Sequence, residues 1–300
     1  MYTTDDLVTS VKIRGMFPDV SEGSLSPESI LLVATEELHS SIIPLVLSVR
    51  EKYYETFYDQ PMVSGIDTYK LPERSIGSMV SCVQYILNQQ VKALNPIDPV
   101  NQVSTNTGLY PKAFWFQNDS IVVYPEPNST QGVIRMRYSQ RPSVLTGTIN
   151  CAQISAVDQP NGTVTISRIP TGWVSSTKLE FVDGKLPFTA YAIEKEATSV
   201  TGFDVSFASL PLEQDGVTAR VKKGDWLCPA GYTCLPEVLN EFFPMLAQST
   251  AVKLLEATGA NEHLPAAIAK LKAYGENAIR LITPRDQWGL KKVCSNWRNW

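Results

Sequence analysis

Apolar residues recur in steps of three and four through the first part of the chain. Leu31, Ala34, Leu38, Ile42, Leu45, Val49 and Tyr53 line up on one side of an α-helix. The stretch from Ser26 to Tyr58 is therefore expected to bury one face and to deliver the chain into a β region. Ser26 followed by Pro27, with Glu28 in the first turn, makes a sound start: the hydroxyl can accept an orphan N–H, and proline has none to lose there. Pro44, in the middle of the run, is expected to kink the helix near Ser40 to Ile43. Ahead of it, Thr3 or Thr4 can cap a shorter helix through Ile13, with Asp5 and Asp6 at its positive end.

From Phe57 the period changes to two. Phe57 to Val63, the turn Ser64-Gly65, and Ile66 to Leu71 predict a hairpin that Pro72 ends. Ile76 to Asn88 is apolar, and its β-branched Val80, Val83 and Ile86 favour a strand. Asn95 to Pro111, with three prolines, reads as a loop long enough to be an interaction arm. Ala113 to Phe116 and Ile121 to Tyr124 flank a second turn. Val133 to Tyr138 then alternates, with Ile134, Met136 and Tyr138 on one side and Arg135 and Arg137 on the other. That arginine face should be wet or should meet a partner.

From Leu145 to Pro229 the composition turns to Thr, Val, Ser and Gly, with the turn spacing of a small antiparallel sandwich or barrel. Asn161-Gly162 is its clearest turn, joining Gln153–Val157 to Thr163–Ile169. Further strands are expected at Lys178–Val182, Thr189–Val200, Phe203–Ala208, Val217–Val221 and Asp225–Cys228. Helical spacing returns over Pro236 to Ala257, stopped by Thr258-Gly259, and over Glu262 to Ile282. The fold class expected is α+β: a helical bundle formed by N-terminal and C-terminal helices, an antiparallel β region, and an inserted small β sandwich or barrel. The expected divisions are 1–144 for the N-terminal helices and hairpins, 145–230 for the inserted module, 231–283 for the closing helical hairpin and 284–300 for a tail.

Chemistry is sparse. The only histidines are His39 and His263, and neither has a nucleophile or second ligand beside it in sequence, which leaves little room for imidazole catalysis or a histidine metal site. Cys82, Cys151, Cys228, Cys234 and Cys294 are scattered and odd in number, so reduced thiols are expected. Cys228 and Cys234 lack CxxC spacing and read as small buried apolar residues. No phosphate loop, dinucleotide fingerprint, GxSxG or HExxH occurs. No catalytic residue, metal or cofactor is expected. With 43% apolar residues and a net charge of −4, the chain can build a large core and does not grip nucleic acid over its whole surface. Neither a signal peptide nor an uninterrupted apolar run of membrane-spanning length is seen, so a soluble, unexported chain without a membrane partner is expected. The last 17 residues hold three of the six tryptophans and four basic residues against one acid. Such a tail reads as a docking surface.

The phrases Ile43-Pro-Leu-Val-Leu-Ser-Val-Arg-Glu-Lys-Tyr-Tyr-Glu55, Asp67-Thr-Tyr-Lys-Leu-Pro-Glu-Arg-Ser-Ile-Gly77 and Asp119-Ser-Ile-Val-Val-Tyr-Pro125 carry a resemblance. So do Arg137-Tyr-Ser-Gln-Arg-Pro142, Lys223-Gly-Asp-Trp-Leu-Cys228 and the closing helix pair from Leu235. Together they resemble the head-to-tail adaptor (connector, head-completion) proteins of tailed bacteriophages. The resemblance implies a virion neck protein made in the host cytoplasm, assembled as a dodecameric ring beneath the portal. Double-stranded DNA would pass through its lumen without sequence-specific binding, and there would be no enzymatic site. It implies partners in the portal and in tail or neck proteins, with a terminal arm gripping the portal. In this chain that role would fall to Trp288, Lys291, Lys292, Trp297, Arg298 and Trp300, while Arg135, Arg137 and Arg141 would form a DNA-channel or interface face. The competing reading is a tail or baseplate accessory protein whose β module binds carbohydrate or another tail protein. A cell-wall hydrolase would need a paired-carboxylate cleft, which the sequence does not display.

Overall fold

The structure is a computed structural model that describes residues 2–17, 25–88, 90–98, 107–108, 110–185, 190–212, 218–260 and 262–283. It is mixed α+β. The chain divides into two compact units, residues 1–50 with 143–300, and residues 51–142.

The first unit begins with α1 (Thr4–Gly15), capped as the sequence proposes. The Thr3 hydroxyl accepts the Asp6 backbone N–H at 3.2 Å, and the Asp6 carboxylate accepts the Thr3 N–H at 2.8 Å, a reciprocal capping box. Helix α2 (Pro27–Glu37) starts from Ser26, whose hydroxyl accepts the Ser29 N–H. A π-helical turn over Leu38–Ile42 follows, and then α3 (Ile43–Val49). The Ile43 N–H donates to the Leu38 carbonyl, five residues back, and Pro44 has no N–H to restore the ordinary ladder. The bend expected at Ser40 to Ile43 thus takes the form of an inserted residue. Its effect on burial is a correction to the sequence reading. Leu31, Ala34, Leu38 and Ile42 are buried as expected, but beyond the turn Ile43 and Val46 are buried where Leu45 and Val49 were expected. The helix also ends at Val49 instead of continuing through Tyr53, so Tyr53 lies off it. By length and composition Pro27–Val49 is apolar enough to cross a membrane, and half of its most apolar stretch is buried inside the protein.

The second unit is built of β1 (Glu55–Pro61), β2 (Thr68–Lys70), β3 (Ser75–Leu87), β4 (Gln90–Ala93), β5 (Asn95–Pro96), β6 (Thr107–Gly108), β7 (Ala113–Gln117), β8 (Ser120–Tyr124), β9 (Glu126–Pro127) and β10 (Val133–Gln140). One sheet has the order β1-β10-β3-β4 and another β2-β8-β7-β5. The expected hairpin of Phe57–Val63 with Ile66–Leu71 does not form. Strand β1 pairs with β10, and β2 pairs with β8 in the other sheet. The physical reason lies in the shared core: Met62 and Tyr69, on either side of the turn, join Val83, Tyr85, Phe114, Ile121, Ile134 and Met136 in one buried cluster. Crossing from one sheet to the other lets both side chains join the core that the two sheets share. Most of the expected interaction arm, 99–106 and 109, lies outside the described residues.

Back in the first unit, β11 (Val144–Leu145) leads into β12 (Ala152–Asp158), β13 (Thr163–Ile166), β14 (Lys178–Val182), β15 (Ala190–Thr201), β16 (Asp204–Phe207), β17 (Trp226–Pro229) and β18 (Tyr232–Thr233). The inserted module is a closed barrel of order β12-β13-β16-β15-β14-β17. Ile154, Val164, Leu179, Phe181, Val205, Phe207 and Leu227 fill its interior. The Asn161-Gly162 turn joins β12 to β13 as expected, and only glycine fits there. Gly162 has φ +65°, and a Cβ on it would sit 2.6 Å from the Phe207 carbonyl oxygen. Where a strand was expected at Val217–Val221, the described residues hold only an isolated bridge, Leu212 with Ala219, and 213–217 are outside them.

Helices α4 (Phe243–Thr258) and α5 (Leu264–Ile282) are the last elements among the described residues, with Gly259 left-handed at the α4 terminus. Helix α4 packs against α1, α2 and α5. Its buried Gln248 joins three helices: the Arg14 guanidinium on α1 donates to Gln248 Oε1 at 3.1 Å, and Gln248 Nε2 donates to the Ala267 carbonyl on α5 at 3.2 Å.

Candidate functional site

Two places in the structure concentrate chemistry. The first is the open face of the β1-β10-β3-β4 sheet. Alternation sends Ile134, Met136 and Tyr138 into the core and leaves Arg135 and Arg137 on the opposite side. The register sets Arg137 beside Phe57 and Cys82, and Arg135 beside Asp59 and Gln84. Arg135 makes a two-pronged ion pair with Asp59, both contacts at 2.7 Å, and lies 4.1 Å from the centre of the Phe57 ring. That hydrogen-bonded carboxylate raises the Arg135 pKa further above its already high value. Arg137 reaches Glu55 at 3.5 Å. Arg141 lies just past the strand, where its backbone N–H donates to the Arg74 carbonyl at 2.6 Å and the Arg74 guanidinium donates back to the Arg141 carbonyl at 2.9 Å. The face therefore mixes paired charge with exposed Phe57 and Val91, and its arginines act through planar contacts rather than as bare cations.

The second is the neck of the barrel, where the chain goes in and comes out. Strands β11 and β18 pair in parallel, Val144 with Tyr232 and Leu145 with Thr233. Thr4 Oγ1 on α1 donates to the Thr146 carbonyl at 2.7 Å, and the Leu145 N–H donates to Thr35 Oγ1 on α2 at 3.1 Å. Three buried carboxylates cap loose backbone here: Glu237 accepts from Ser143 and Ala190, Glu180 from Gly231, and Asp225 from Gly184 and Lys222. Each carboxylate is occupied by structure.

At the same neck the fold brings Cys151, Cys228 and Cys234 together. All three are fully buried, and their sulfurs lie within 4.8 Å of one another. Cys151 immediately precedes β12, Cys228 lies in β17 and Cys234 follows β18. Hydrogen bonds to its sulfur from Cys228 and Cys234, with the nearby Arg168 charge, lower the Cys151 pKa to about 5. Burial in the same cluster pushes the Cys228 and Cys234 thiols well up. The Arg168 Nε–H donates to the Cys151 carbonyl at 3.1 Å, and the Thr4 N–H donates to the Cys234 carbonyl at 2.9 Å. Sequence spacing alone left Cys228 and Cys234 as isolated apolar residues. The missing partner was Cys151, and the one signal for it was its position at the start of the insertion that the other two end.

Of the docking residues expected in the tail, Trp288, Lys291, Lys292, Trp297, Arg298 and Trp300 lie outside the described residues, as does Cys294. Glu37 accepts from the Ser41 hydroxyl, and Glu194 pairs with Lys178 at 2.9 Å. His39 sits in the π turn, and His263 precedes α5. No model of a known protein family matches the chain, and no curated protein matches it.

Proposed function

We propose that this chain is a structural virion protein, a head-to-tail adaptor that forms a ring under the portal and continues the DNA channel toward the tail. The observation that carries the reading is the open face of the β1-β10-β3-β4 sheet. Arg135, Arg137, Phe57 and Val91 share it, a combination of planar cations, an aromatic ring and aliphatic surface that favours protein contact. With Asp59 and Glu55 already pairing the arginines, the same face would hold a DNA backbone only weakly through released counterions, which suits a conduit. The resemblance in the scaffold phrases points the same way. Under this reading α4, with α1, α2 and α5 packed against it, forms the bundle of the adaptor core, and the tail supplies the portal-gripping arm.

The test is the mass of the intact assembly, measured by native mass spectrometry for the chain alone and with portal rings. A closed ring, or a ring formed on the portal, is the expected result. A chain that stays monomeric and is not retained by portal rings overturns the proposal.

A further inference from the structure

We infer that Cys151, Cys228 and Cys234 form a thiolate site for a thiophilic d10 metal ion, Zn²⁺ or Cu⁺, that clips the barrel closed at its neck. Of the four cysteines among the described residues, three converge although the sequence separates Cys151 widely from the other two. Cys228 and Cys234 sulfurs are 4.0 Å apart. At a metal–sulfur distance of about 2.3 Å, the sulfur–sulfur edge is about 3.8 Å in a tetrahedral site and about 4.0 Å in a trigonal one. The observed pair thus already has the separation of two ligands on one ion, and the widest pair, within 4.8 Å, needs to close by under about 1 Å.

The surroundings match a soft ion. Val182, Ala190 and Leu235 line the cluster and supply no hard oxygen ligand. The backbones of two of the cysteines are fixed from outside, Cys151 by Arg168 and Cys234 by Thr4, which pre-orients the sulfurs. Trp226 lies two residues from Cys228 on β17, on the same strand face, and packs against the cluster. Its indole N–H is buried with no hydrogen-bond partner among the described residues, and a thiolate is the kind of acceptor it lacks. Each cysteine exchanges whatever S–H proton it carries for a metal–sulfur bond and releases it to solvent, with no change of oxidation state. The resulting anionic centre sits beside the Arg168 guanidinium. What the ion would do is structural: it joins the strand that begins the barrel to the segment that ends it.

The full-length chain is purified under reducing, chelator-free conditions, and its metal content is measured. Stoichiometric zinc or copper is expected, lost in Cys151→Ser and Cys228→Ser and kept in Cys82→Ser and Cys294→Ser. Because a serine in this core can itself unfold the protein, the second measurement uses the wild type. Metal-stripped chain is titrated separately with Zn²⁺ and with Cu⁺ against chromophoric chelators, and its melting temperature is followed. Saturable binding with a raised melting temperature for one ion supports the site and says which ion it takes. Co²⁺ in its place should give thiolate-to-metal charge-transfer absorption. Stripped protein that is indifferent to both ions, binding that depends on Cys294 instead, or a Cys228–Cys234 disulfide in the freshly reduced and desalted chain overturns the inference.

Discussion

The Glu237 carboxylate accepts the backbone N–H of Ser143 at 2.6 Å, across 94 residues of sequence. The other carboxylate oxygen takes the Ala190 N–H at 3.1 Å, so one buried side chain ties the segment before the barrel to the start of β15. Glu237→Ala takes the acceptor away from two buried backbone N–H groups and the Ser143 hydroxyl and is expected to cost about 2–4 kcal/mol. The exposed Glu194→Ala, which breaks only the surface pair with Lys178, is expected to cost under about 1 kcal/mol. Urea unfolding of both variants checks this, and equal losses would contradict the assignment.

Beyond the π turn the structure and the simple helical period make opposite forecasts. Val46 is completely buried and Leu45 is not. Val46→Ala is therefore expected to cost about 1.5–3 kcal/mol, and Leu45→Ala less despite the larger side chain removed. A larger loss at Leu45 in thermal unfolding would return the helix to an unbroken α register.

Arg135 separates stability from assembly. Its pair with Asp59 is partly exposed, so Arg135→Ala is expected to lower stability by no more than about 1 kcal/mol. If the sheet face is the contact surface proposed here, the same change weakens ring formation or portal binding by about tenfold or more. Calorimetry and a concentration series of native mass spectra read the two effects independently. Unchanged assembly moves the contact off this face.

The Tyr191 hydroxyl donates to Asp225 at 2.9 Å, and burial, followed by the Asp225 charge, raises its pKa above the ordinary 10.0. The fold thus favours the neutral phenol, while the unfolded chain ionises from about pH 10. This contribution is whole below pH 10 and declines as pH rises above it, by up to about 1.4 kcal/mol per pH unit. Tyr191→Phe is expected to lower stability by about 1 kcal/mol at neutral pH and to flatten the alkaline decline. Urea midpoints on either side of pH 10 test it, and an unaltered slope would show that other groups control alkaline unfolding.

Deleting residues 284–300 is expected to leave the melting temperature unchanged and to abolish retention on portal rings. Truncated protein that still docks would place the grip elsewhere in the chain.

Local rules were legible wherever one short stretch decided the outcome. The Thr3–Asp6 capping box, the Ser26-Pro27 start, the Asn161-Gly162 turn and the alternation of Ile134 to Tyr138 all follow from side chains within a few residues of one another. What escaped depended on distance. The strands on either side of the Ser64-Gly65 turn join different sheets because a core assembled from β3, β7, β8 and β10 takes both Met62 and Tyr69, which the turn itself cannot reveal. The extra residue in the π turn is announced by Pro44, yet its consequence, the exchange of Leu45 for Val46 in the core, depends on what the helix packs against. The three thiols are the extreme case, since their meeting requires the whole barrel to close first.

The parallel pairing of β11 with β18 has a topological corollary. Val144 and Tyr232 are bonded neighbours, so the path leaves the helical layer and rejoins it at a single doorway. Everything strung between those neighbours is a cassette: it can lengthen, shrink or be traded for another fold while Gln248 goes on holding α1, α4 and α5 together. A lineage of such proteins could keep one chassis and change what it carries on top.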